Sequence, residues 1–257
     1  MSLRPFFDDQ AAWITIYCGD ARQVLPQLGP ADHLMVDPPY SDHVHTKARS
    51  SKSTAEGEIV QAYVLGFDSL GDALRAAILA YAAQHVARWS LVFSDVESTH
   101  LWRQVAPPLE YVRTAFWRRP GAPQFTGDRP AVACECITLL HRRGRKRWNG
   151  GGKQGMYDTP IVQARSSAGT EYRCHETQKP ERLMEQLIAD YTDPGDLVID
   201  PCMGSGATLL AAKRLGRRAI GIEQRADNCE SAAARLSQHV LGLELGAAQP
   251  EQAVLSV

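Results

Sequence analysis

Short apolar runs, each closed by a polar residue or glycine, recur along the chain and alternate with stretches of helical spacing. Trp13 to Cys18, His33 to Val36, Ser90 to Phe93, Leu197 to Ile199 and Ala219 to Ile222 read as strands. Between them, Ala21 to Leu28 suits a short helix and the alanine-rich Leu70 to Ala87 a longer one. A helix from about Glu97 should end before Pro107-Pro108. Leu183, Leu187 and Tyr191 recur at i, i+4 and i+8 and predict a helix over Pro180 to Tyr191. Ala207 to Leu215 and the amphipathic Ala226 to Leu241 predict two more, and the tail after Gly246 is expected to fray. Tyr111 to Trp117 and Ala133 to Leu140 are expected to form an antiparallel pair at the end of the sheet. Strands alternating with helices imply an α/β fold: a mixed, mostly parallel sheet with helices on both faces.

Two stretches break the pattern. Ser41 to Phe67 is polar and irregular, and a loop of that length is usually functional or mobile. Arg142 to Arg173 is basic and glycine-rich, lacks apolar content for its own core, and is expected to be a small insert. The chain therefore divides into 1–141, a short basic segment 142–173, and 174–257. There is no internal repeat.

Composition changes this picture little. The 257 residues are 44% hydrophobic and 22% charged, enough for one large domain or one domain with an insert. The formal net charge of -1 does not mark a polyanion binder, but its distribution is uneven. Between Tyr111 and Gly150 nine basic residues face only Asp128 and Glu135, so a polyanion can be steered there. None of the 6 cysteines forms a C-x-x-C pair, and His43 and His45 lack partners, so no metal site is expected. Cys134 and Cys136 have period-2 spacing and read as buried strand residues. With no signal peptide or long apolar span, a cytoplasmic protein without membrane contact is expected.

The chemistry concentrates at two strand ends. Asp37-Pro38-Pro39-Tyr40 follows His33 to Val36, at the carboxyl edge where open α/β sheets bind ligands. The prolines fix φ and offer carbonyls without competing N–H donors. The aspartate accepts hydrogen bonds from an amine, and the tyrosine stacks on a flat ring. Together they suit a planar substrate with an exocyclic amine. Farther on, Asp200-Pro201-Cys202-Met203-Gly204-Ser205-Gly206-Ala207-Thr208 runs from strand through glycine turn to helix. The following strand ends on Glu223, a carboxylate placed to accept hydrogen bonds from ribose hydroxyls. Leu209 stands where a dinucleotide fingerprint needs a third glycine, and no Gly-Lys-Ser/Thr follows. A ligand with ribose and adenine but no phosphates remains, and S-adenosylmethionine has that make-up.

The apolar-Asp200-Pro201-x-x-Gly204-Ser205-Gly206 segment resembles the cofactor motif of amino-group DNA methyltransferases, and Asp37-Pro38-Pro39-Tyr40 resembles their catalytic motif. His175-x-Thr177-Gln178-Lys179-Pro180 resembles a third signature, near the methionine end of the cofactor. Gly19-Asp20-Ala21 resembles the strand end that meets the cofactor adenine. The order, catalytic motif before cofactor motif, is that of the β group of the family. The resemblance spans about Trp13 to Leu241. It implies a Rossmann-like, S-adenosylmethionine-dependent methyltransferase fold. It assigns catalysis to Asp37, Pro38, Pro39 and Tyr40. It assigns cofactor contact to Asp20, His175, Thr177, Gln178, Lys179, Asp200, Pro201, Cys202, Gly204, Ser205, Gly206, Thr208 and Glu223.

The reaction the resemblance implies is direct methyl transfer to adenine N6 in double-stranded DNA. Asp37 and the Pro38 carbonyl would take the two N–H hydrogens and free the nitrogen lone pair. The base would flip from the duplex and stack on Tyr40. Lys179 would pair with the cofactor carboxylate, and Asp20 with the adenine amine unless it only caps a helix. Lys47, Arg49, Lys52, Arg142, Arg143, Arg145, Lys146 and Arg147 are expected to contact DNA. Such phosphate contacts carry no sequence information. The segment expected to read sequence is short, so the 41–67 loop is expected to share that task. Trp117 and Trp148 are expected to pack rather than stack on bases. Cys202, though it follows a proline as in cytosine-C5 enzymes, is expected to be a packing or backbone-contact residue. A homodimer is expected from the family. Alternatives are a cytosine-N4 enzyme, an RNA or protein-glutamine methyltransferase, or a non-catalytic DNA-binding regulator.

Overall fold

The structure, a computed structural model, describes residues 3–39, 52–53, 59–60, 71–120, 130–162 and 178–238. In chain order it begins with β1 (Phe7–Asp9), β2 (Ile14–Cys18), α1 (Ala21–Val24), a 3-10 turn (Leu25–Gln27) and β3 (His33–Val36). A two-residue pair follows, β4 (Lys52–Ser53) with β5 (Ile59–Val60). Next come α2 (Asp72–His85), β6 (Trp89–Ser94), α3 (Thr99–Trp102), β7 (Leu109–Arg118), β8 (Cys134–Arg142) and β9 (Met156–Asp158). The last third holds α4 (Glu181–Tyr191), β10 (Leu197–Asp200), α5 (Ala207–Arg214), β11 (Arg218–Glu223) and α6 (Ala226–Ser237).

The apolar runs become strands because both of their faces are covered. Every residue of β3 and of β6 is buried, the mark of parallel strands sandwiched between helices. The sheet runs β1-β2-β11-β10-β3-β6-β8-β7-β9. β2, β11, β10, β3 and β6 are mutually parallel, β1 and β8 join antiparallel, and β9 lies parallel to β7. One face packs on α4, α5 and α6 through Leu183, Leu187, Leu209, Ala212, Ala232 and Leu236. The other packs on α1, α2 and α3 through Val24, Ile78, Tyr81, Ala82 and Trp102. Among the described residues no helix is long and apolar enough to cross a membrane.

The topology fixes where a ligand can bind. β10 leads through α5 on one face to β11, while β3 leads toward α2 on the other face and then to β6. β10 and β3 are neighbours, in register from Val198 opposite His33. The chain thus diverges left and right between them, which makes a crevice at their carboxyl ends.

Some expectations need correction. The helix expected from Glu97 is only α3, four residues anchored by the fully buried Trp102. Of the two cysteines expected to be buried, only Cys136 is; Cys134, the first residue of its strand, is partly exposed. β7 and β8 pair antiparallel as expected, but they do not end the sheet. β9 extends it: the Phe116 N–H donates to the Gly155 carbonyl at 2.8 Å, and Trp117 Nε1 donates to the Thr159 carbonyl at 2.8 Å. Only Tyr157 of β9 is buried, so three residues with one apolar contact gave no legible period. Residues 142–162 lean on this edge and on α4. Trp89 Nε1 donates to the Arg147 carbonyl, and Trp148 stacks edge-on against Tyr191 at 4.8 Å.

Candidate active site

Asp37, Pro38 and Pro39 continue directly from β3 into the crevice, with Pro38 buried and Asp37 half-buried. Tyr40 lies outside the described residues. Across the crevice β10 delivers Asp200, and the glycine turn follows. Gly204 and Gly206 take φ of +51° and +77°, a left-handed conformation that strains any residue with a Cβ. At Gly206 a Cβ would also stand 3.0 Å from the Ala232 Cβ, so the turn packs tightly against α6. β11 then supplies Glu223. Its carboxylate accepts from the Gly204 N–H at 3.1 Å and from the Arg225 N–H at 2.9 Å, which ties the strand end to the turn.

The acids converge. Asp200 is buried and accepts Thr208 Oγ1 at 2.5 Å and the Cys202 N–H at 3.1 Å. Burial drives its carboxyl up to about 7, and the charges of Asp37 and Glu223 push the same way against those two hydrogen bonds. Burial likewise pushes the Cys202 thiol well up, reinforced by Asp200, Glu223, Asp37 and Asp20. All four carboxylates therefore lie within electrostatic reach of one thiol. A thiol held protonated in this way is no nucleophile, and the geometry gives no support to cytosine-C5 chemistry.

The remaining cofactor-motif residues divide by what they touch. Thr208 holds Asp200. Ser205 is buried, and Arg235 donates to its carbonyl at 2.6 Å and its hydroxyl at 3.1 Å, so Ser205 braces α6. Pro201 is buried at the turn. Asp20 caps α1 through the Arg22 N–H at 2.8 Å and also grips the Arg22 guanidinium, which holds its carboxyl below the usual range. Gln178 is buried beside Lys179; His175 and Thr177 lie outside the described residues.

Lys179 is held between two carboxylates. Its ammonium lies 2.5 Å from Asp37 Oδ2 and 3.2 Å from Glu135 Oε2, above the Phe93 ring at 5.1 Å and the Trp117 ring at 5.7 Å. Burial alone would lower its pKa; Asp37 and Glu135 more than offset this, and the net direction is upward. Lys179 is therefore a cation held on the Asp37 carboxylate. In the sequence Glu135 stands out only as one of two acids in the basic stretch from Tyr111 to Gly150, within the strand Ala133 to Leu140. The signal for it was available: it shares a face with Ile137 and Leu139, where a charge needs a partner.

The basic run lies elsewhere. β8 pairs antiparallel with β6, from Ser94 opposite Cys136 to Trp89 opposite His141. Arg142 to Arg147 thus emerge at the sheet edge opposite Asp37, roughly 20 Å away by strand length. There Arg142 donates to the Ala83 carbonyl, Lys146 pairs with Glu110, and Arg147 pairs with Asp193 at 3.0 Å; Arg143 and Arg145 are exposed. The structure does not bring this run to the crevice. Lys47 and Arg49 lie outside the described residues, and of Lys52 only the backbone, in β4, is described. A groove of about 550 Å³ at that same far edge, lined by Asp8, Trp13, Leu197 and Arg218, gathers no convergent chemistry. Among the described residues no cluster of three or more His, Cys, Asp or Glu side chains is arranged to hold a metal.

A crevice at a topological divide, with an Asp-Pro-Pro strand end facing an acid-lined glycine turn, is where open α/β folds bind ligands. The family model for DNA methylases of the N6/N4 type matches residues 31–234, and the chain belongs to that family. The Streptococcus pneumoniae protein "Type II methyltransferase M2.DpnII" is 50% identical over 62 residues, which is 24% of this chain and 23% of that relative. The match thus spans only about a quarter of that relative's length. The crystal structure of an M1.HpyAVI–SAM complex superposes with a TM-score of 0.64 at 24% identity, covering 87% of this chain and 99% of that one. The PvuII DNA methyltransferase, described as cytosine-N4-specific, superposes with a TM-score of 0.67 at 14% identity, covering 94% and 92%. These neighbours establish the fold as Rossmann-like and shared with such methyltransferases.

Proposed function

We propose that this chain transfers a methyl group from S-adenosylmethionine to an exocyclic amine of a base in double-stranded DNA, and that the base is adenine, at N6. The observation that carries the reading is the adjacency of Asp37 and the glycine turn on neighbouring strands β3 and β10. The acid-lined turn fits the cofactor: four carboxylates around Cys202 suit a ligand with net positive charge, and Gly204 and Gly206 let backbone approach it. Asp20, Asp200 and Glu223 would hold it, together with the turn from Pro201 to Gly206. When bound, it supplies an electrophilic methyl group.

The residues of the chain do the rest. The amine's lone pair is delocalised into the ring. Asp37 and the Pro38 carbonyl accept its two hydrogens, which turns the nitrogen and localises the pair. Asp37 orients the amine rather than deprotonating it first; the nitrogen sheds one of its two hydrogens to solvent as a proton only after it has gained the methyl group, and positioning supplies most of the acceleration. A base inside a duplex cannot reach this crevice, so it flips out. An aspartate at the head of the catalytic motif favours adenine, as the family resemblance implies. The PvuII neighbour keeps cytosine N4 as the second reading.

DNA approaches the edge that holds Asp37. β3, β7 and β9 all end there. Sequence reading falls to the 41–67 loop together with the 142–173 segment in this proposal. The chain acts as a homodimer in this proposal, a state that light scattering reads directly.

The test incubates the protein with labelled cofactor and unmethylated DNA, then separates the nucleosides. N6-methyladenine is expected. N4-methylcytosine would replace the base assignment, and label confined to RNA or protein would remove the DNA reading. Asp37→Ala should bind cofactor within about threefold of wild type and lose methyl transfer by roughly 10²–10³-fold. Retained turnover would refute the role given to Asp37.

A further inference from the structure

Four charged side chains follow one another in alternating sign along the crevice edge: Arg119, Glu135, Lys179 and Asp37. Arg119 Nη1 lies 3.0 Å from Glu135 Oε1. Glu135 Oε2 lies 3.2 Å from Lys179 Nζ, and Lys179 Nζ lies 2.5 Å from Asp37 Oδ2. The middle pair is the buried one: exposure is 23% for the Asp37 side chain, 8% for Lys179, 7% for Glu135 and 26% for Arg119. The Arg119 guanidinium lies over the Trp117 ring at 5.4 Å, and Trp117 stands opposite Glu135 on the paired strand.

We infer that Glu135 is a positioning residue for methyl transfer, acting through Lys179 on Asp37. The inference rests on the function proposed above. An ammonium has three donors and no preferred plane. With a single carboxylate beside it, it would move to that group's acceptor lone pairs. Asp37 needs a lone pair for the target amine. Glu135 draws the ammonium to a point between the two carboxylates, and the Phe93 and Trp117 rings form the floor beneath it. Arg119 in turn balances Glu135. The arrangement leaves the quartet formally neutral, fixes Nζ, and fixes Asp37 by its Oδ2.

Its place in β8 supports this role over a purely architectural one. Glu135 follows the same inward stripe as Ile137 and Leu139, where an apolar side chain would pack without desolvating a charge.

The experiment compares wild type, Glu135→Gln, Lys179→Gln and the double variant in single-turnover and steady-state methylation of DNA. Glu135→Gln keeps the shape and one acceptor while removing the charge. Its kcat should fall by about 10²-fold, with KM for DNA and the cofactor dissociation constant within about twofold. That split marks an interaction made only at the reacting centre. In the Lys179→Gln background, Glu135→Gln should add no further loss, because its effect passes through Lys179. Losses that multiply would overturn that route. If Glu135→Gln fails to fold, Glu135→Asp retains the charge but withdraws it by one methylene, and an intermediate loss in kcat is expected; full activity there overturns the inference. Active wild type beside an equally active Glu135→Gln overturns the inference alone. A wild-type chain that labels no DNA overturns the function and the inference together.

Discussion

At the scale of single residues, Asp200 shows most clearly what the crevice demands. Its carboxyl is raised from 3.8 to about 7, first by burial. The folded state therefore holds a proton that the unfolded chain has already lost anywhere between pH 4 and 7. Stability thus falls as pH rises through that window, by at most about 4 kcal/mol. Asp200→Asn should abolish the fall. In thermal melts without cofactor the variant should match wild type near pH 4 and exceed it by several degrees at pH 8. A wild-type Tm that does not decline relative to the variant would contradict this. Gly206 makes the opposite case. Gly206→Ala combines φ of +77° with a Cβ 3.0 Å from Ala232, and should cost about 1–3 kcal/mol, read as a Tm loss of several degrees. Asp37, Asp200, Gly204 and Glu223 were legible because their chemistry is written in short motifs. Glu135 was not, because a lone acid in an apolar run takes its meaning from Lys179, 44 positions away in the sequence.

At the scale of elements, periodicity served wherever burial was strong. β3 occupies the four residues expected, and α4 buries Leu183, Leu187 and Tyr191, the three positions whose spacing predicted it. It served poorly where an element makes one apolar contact, as in β9, or where a single tryptophan anchors four residues, as in α3. Charge runs carry even less positional information. Arg142 to Arg147 follow a strand whose direction decides which edge they reach, and direction is a property of pairing. Arg143→Gln with Arg145→Gln should leave the slope of log K against log salt for DNA binding unchanged. A slope reduced by about 2 would place phosphates at this edge after all.

At the scale of the whole molecule, the α/β architecture followed from the alternation of strands and helices, and the crevice from the divergence of the chain between β10 and β3. That divergence has a consequence for assembly. The two walls of the crevice come from strands more than 160 residues apart in the sequence. No early hairpin or helix pair can build half of it, since contacts of such long separation form only once the intervening loop closes. A ligand of this crevice therefore recognises the completed sheet and no partial one. Protection from a protease by such a ligand would report closure of the central strands, and either half of the polypeptide expressed alone should gain none.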